Sequence, residues 1–179
     1  KGYGLFINED GELEFKLGSG RGKVSSFSSR KPLLRKVWYK VFASYDAEKG
    51  QVVIGQIPYL TATNGGHGMS MLHPREETEV VKKCSAPDIS LSQNECPLLM
   101  AASTSETHTG RLLSGGHYDH LKEPLEVPEH TTKFNGKIER PRLSNAALGR
   151  DQIEILLNNQ RLEGIPTELR SSIIGFWDF

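Results

Sequence analysis

The feature that most restricts the fold is an alternation of apolar and polar residues through the first sixty positions. In "ELEFKLG", Leu13, Phe15 and Leu17 fall on one side of an extended chain, and Glu12, Glu14 and Lys16 on the other. Successive side chains leave a strand on opposite faces, so a period of two marks a strand with one buried and one wet side. The same pattern runs through "GYGLFIN", joined to it by the turn "EDG", more weakly through "RGKVSSFSS", and most fully through "LRKVWYKVFASYD". In the last of these, Val37, Tyr39, Val41, Ala43 and Tyr45 share one face, while Trp38, Lys40, Phe42 and Ser44 share the other. "AEKG" then reads as a hairpin loop into the strand "QVVIGQIP".

A chain that begins this way predicts antiparallel sheet rather than a helical bundle. The 18 glycines and 9 prolines among 179 residues supply turns, and the length is enough for one domain with its own core. Residues 61–95 are polar and glycine-rich ("TATNGGHGMSMLHPREE", "SAPDISLSQNEC") and predict a long loop, functional or poorly ordered. "CPLLMAASTSE" predicts a buried strand, and 107–129 a second loop region. "FNGKIERPRL" predicts another strand, with Phe134 and Ile138 buried on one face and Gly136 between them. Pro141, which has no N–H to give to a ladder, ends it. One short helix follows, with Asp151 as N-cap, Glu154 as capping-box partner and Ile153, Leu156 and Leu157 as its apolar stripe. The expected fold is all-β, an antiparallel β-sandwich of roughly seven strands with one short helix near the C-terminal end.

Lysine plus arginine (22) balance aspartate plus glutamate (22), so no net field draws the chain to nucleic acid or to an anionic membrane. The basic stretch "SSRKPLLRKVWYK" is short and interrupted by apolar residues, as a solvated strand edge would be. No run is long enough to span a bilayer and no signal peptide is visible, so a cytoplasmic protein without membrane or nucleic-acid partners is expected. The chain opens on Lys1 and stops on "GFWDF" in mid-pattern, and so reads as a piece of a longer polypeptide. Residues 1–172 would form the sandwich, and 173–179 a final strand or the start of a link to a following domain. Cys84 and Cys96 would pair in an exported parent and stay as thiols in a cytosol; both readings stay open.

Two constellations invite a chemical reading. His117, Asp119 and His120 of "HYDH" put two imidazoles and a carboxylate within four residues, a set suited to zinc or another divalent ion. The run matches the second half of the His-x-His-x-Asp-His motif of metallo-β-lactamase-like hydrolases, with Gly115 where that motif has its first histidine. A polar surface loop is the plainer account of the same run. His67 and His73 flank "GMSML" in a glycine-rich loop that would let a backbone approach a ligand. "NGGHG" lacks the Lys-Ser/Thr of a phosphate loop, no Gly-x-Ser-x-Gly elbow occurs, and the carboxylate pairs Glu12–Glu14 and Glu76–Glu77 look solvated. No catalytic residue is assigned.

"LRKVWYKVFASYDAEKGQVVIGQIP" resembles the central hairpin of laminin-G-like, concanavalin A-like domains. "FNGKIERPRLSNAALGRDQIEILL" resembles the late signature of the same superfamily, at Phe134, Gly136, Ile138, Glu139, Leu148, Asp151 and Ile153. The form "FNGKIERPRL", with Pro141 after the acidic-basic pair, and the trailing "IIGFWDF" resemble the laminin-G-like region in large subunits of N,N-dimethylformamidase-like proteins. Glu139 departs from the aspartate usual there, and the loops 61–95 and 107–129 are left unmatched. The resemblance implies a jelly roll that acts as an accessory domain of an iron-dependent amide hydrolase. Its partner would be the rest of the parent polypeptide or a sister subunit, and any iron would be held by residues outside this chain. A lectin-like alternative would bind carbohydrate, with calcium, through aromatics such as Trp38 and Tyr45. A third reading is a metal-dependent hydrolase using the "HYDH" loop.

Overall fold

The structure, a computed structural model, describes residues 2–18, 23–35, 37–59, 62–65, 69–72, 75–86, 89, 91, 98–111, 126–134 and 136–178, with backbone alone for 62–65, 69–72, 102–111 and 126–133. The chain divides into two compact units. The first comprises residues 1–94 and 142–176, the second 95–141 and 177–179. The described residues are mostly strands in antiparallel sheets, with few and short helices.

In the first unit, β1 (Gly2–Ile7), β2 (Glu12–Gly18) and β3 (Val24–Pro32) form an antiparallel sheet in that order. A second sheet has β5 (Gln51–Pro58) between β4 (Tyr39–Asp46) and β8 (Val80–Ser85). β6 (Ala62–Gly65) and β7 (Met69–Leu72) make a small hairpin before the one-turn helix α1 (Arg75–Thr78). The alternation in "ELEFKLG" does what its period requires: Leu13, Phe15 and Leu17 are buried and meet Val52, Ile54 and Ala86 in one apolar cluster. Phe27, Ala43, Tyr45, Cys84 and Ile89 pack around it, so the core draws on both three-stranded sheets. β5 is buried along most of its length, and Gln56 sits fully buried on it. Its Nε2 donates to the carbonyls of Lys31 (3.1 Å) and Thr78 (3.4 Å), which offsets part of the cost of enclosing an amide, while its Oε1 is buried without a partner among the described residues.

Beyond the core, β11 (Arg142–Ser144) pairs with β12 (Ile173–Phe176). Between them lie α2 (Arg150–Asn158), a 3-10 turn (Leu162–Gly164) and α3 (Thr167–Arg170). Leu156, Ile165 and Leu169 form a second, smaller cluster there, flanked by Leu148, Leu162 and Ile173. The Arg142 guanidinium donates to the carbonyls of Leu156 and Asn159 at the end of α2, meeting acceptors that helix geometry leaves unpaired. It also lies 5.2 Å from the centre of the Phe176 ring. The second unit contains β9 (Ala102–Arg111) and β10 (Glu126–Lys133), paired antiparallel with register shifts.

Several expectations are corrected. The stretch 61–95 is not all loop, because it carries β6, β7, α1 and β8, and β8 pairs with the buried β5 over six registered positions. The apolar run after Cys96 is not a buried strand: Leu98 is exposed, and β9 begins only after Ala101, whose φ is +61°. Strands also extend into 107–129, at both its ends. "FNGKIERP" is not a strand. Residues 134 and 136–141 are irregular, and Phe134, Gly136, Ile138 and Glu139 are exposed. The cause is local. The Phe134 ring folds back over Gly136, occupying the space a side chain there would need, and Arg140 sits at φ +48° immediately before Pro141. That backbone breaks the extended run, and it is flanked by ion pairs from Arg140 to Glu139 and to Asp178 (3.2 Å). α2 starts two residues earlier than expected. Gly149 is its N-cap, and Gln152, not Glu154, returns to the cap N–H at 2.9 Å. Glycine has no side chain, so only that half of a capping box forms; Asp151 lies in the first turn, where the helix dipole favours a carboxylate.

Candidate functional site

The β4–β5 hairpin builds the most distinctive surface among the described residues. Its register runs from Tyr39 opposite Pro58 to Asp46 opposite Gln51. One step beyond the ladder, the Tyr59 N–H donates to the Trp38 carbonyl at 2.7 Å, which makes Trp38 and Tyr59 neighbours at the hairpin's open end. Both are exposed, Trp38 by 42% and Tyr59 by 57%. Lys40 places its ammonium 5.4 Å from the centre of the Tyr59 ring. Two exposed aromatics with an adjacent cation form a platform for a flat or apolar ligand face. Trp38 was visible in the sequence; Tyr59 was not, because its proximity depends on the hairpin register.

Tyr45 does not join them. Its ring packs against the main core, and its hydroxyl donates to the Ile89 carbonyl. It lies on the opposite face of β4 from Trp38, as the alternation requires. His67, His73, His117, Asp119, His120 and Cys96 lie outside the described residues. Cys84 is a half-buried thiol against the core. Among the described residues no group of three His, Cys, Asp or Glu side chains is placed to hold a metal ion.

At the other end of the same hairpin is a shallow groove of about 250 Å³, lined in part by Ser44, Asp46, Lys49, Lys83, Leu148 and Arg150. The Leu148 N–H donates to Ser44 Oγ at 3.0 Å, setting the residues before α2 against β4. In the turn, Asp46 accepts from the Lys49 backbone N–H (3.0 Å) and from its ammonium (2.7 Å). The hydrogen bond from the Lys49 side chain, with that from its backbone, holds the Asp46 carboxyl below its ordinary value, and the same contact raises the Lys49 ammonium. Arg75 is likewise raised by its hydrogen bond to Glu79. These are exposed ion pairs of the kind that shape turns and helix ends. Among the described residues no helix is long and apolar enough to cross a membrane.

No family model matches the chain. The chain is similar to the N,N-dimethylformamidase beta subunit of Alcaligenes sp, with 28% identity over 179 residues, 99% of this chain and 20% of that protein. It is also similar to the N,N-dimethylformamidase beta subunit of Paracoccus aminophilus, with 27% identity over 181 residues and the same coverage. The named relatives are beta subunits, and that name replaces the large subunit of the sequence-based expectation. The chain thus aligns from end to end with a portion of these beta subunits and spans about a fifth of their length.

Proposed function

We propose that the chain is a non-catalytic accessory β-sandwich, of laminin-G-like jelly-roll type, within the beta subunit of an amide hydrolase resembling N,N-dimethylformamidase. Its role is packing against the rest of that subunit or contact with another subunit. The observation that carries this reading is the coverage: similarity over 99% of this chain accounts for 20% of each relative, leaving most of their length to house the chemistry. The architecture supports it. Two antiparallel sheets share one core, as a sandwich needs. The β9–β10 ribbon has two strands of largely polar sequence, and an isolated two-stranded ribbon needs a surface to pack on. On this reading the iron of the parent enzyme is bound by residues outside the chain.

The test compares the full-length protein with the 179-residue chain, the latter first shown to be folded by circular dichroism. The full-length protein should hydrolyse small linear amides, and the chain should not, while still binding the remainder of the polypeptide when the two are mixed. Amide hydrolysis by the chain alone, or none by the full-length protein, would overturn the proposal.

A second reading, a carbohydrate-binding surface, draws on the exposed Trp38–Tyr59 pair. Calcium-dependent glycan binding that Trp38→Ala abolishes would establish it in place of the assembly role.

A further inference from the structure

We draw no further inference here: the strongest candidate, the shallow groove between the β4–β5 turn and the start of α2, where Lys83 and Arg150 stand beside Gly149, rests on exposed basic side chains and a helix N-terminus, with no second observation among the described residues that points to a ligand.

Discussion

Gly55 offers a substitution whose sign should reverse with its neighbour. It stands opposite Phe42 in the β4–β5 ladder, and a methyl group added to it would run into the Phe42 ring. Two effects compete in Gly55→Ala. Alanine in a strand interior is favoured over glycine by about 0.5–1 kcal/mol, because the unfolded chain loses less freedom. Forcing a methyl into an occupied site costs about 1–3 kcal/mol. With Phe42 in place the clash dominates, so Gly55→Ala should destabilise by about 0.5–2 kcal/mol. With Phe42→Ala the ring is gone and the backbone term alone remains, so the same change should stabilise by about 0.5–1 kcal/mol. The coupling between the two sites is then about 1–3 kcal/mol, well above the error of a double-mutant cycle. Urea denaturation of the four proteins, followed by far-UV circular dichroism and checked for coincident fluorescence transitions, measures it. Equal effects of Gly55→Ala in the two backgrounds would refute the reasoning, as would stabilisation in the presence of Phe42.

Arg142→Met should remove two charge-assisted bonds to the end of α2 and destabilise the C-terminal elements by about 2–4 kcal/mol, read as an early transition in thermal melts. Asp46 should titrate below its ordinary value of 3.8, as seen by carbon-detected NMR. Its folded pKa is depressed, so the small stabilisation is present above the unfolded value and fades as pH falls through the folded one; Asp46→Asn should make stability flatter below pH 4. His120→Ala should leave the metal content of the full-length protein unchanged, as measured by atomic emission; loss of one equivalent would assign metal chemistry to the "HYDH" loop.

The sequence was most legible where strands are half buried. Leu13, Phe15 and Leu17 announced their face by alternation alone, and the β4–β5 hairpin followed from two such runs around "AEKG". It was least legible where pairing is non-local. β8 has only Val80 and Val81 before two lysines, and its place in the sheet comes from its registered pairing with β5. Tyr59 became a site residue for the same reason, through its backbone bond to Trp38. "FNGKIERP" misled in the opposite direction. Phe134 and Ile138 keep the spacing of a strand, but Phe134 satisfies itself against Gly136, and the positive φ of Arg140 ends the run.

The second apolar cluster has a consequence for how the first unit comes apart. Leu156, Ile165 and Leu169 are buried with one another rather than in the main core, and Arg142 ties β11 to the end of α2. Polar links to β4 run from the Leu148 N–H to Ser44 Oγ and from Lys40 to Asn158. Residues 142–176 therefore have the makings of a separate foldon. Their amides should exchange with solvent through a sub-global opening that leaves Val52 and Ile54 protected, so the unit would breathe at its C-terminal end well before it unfolds.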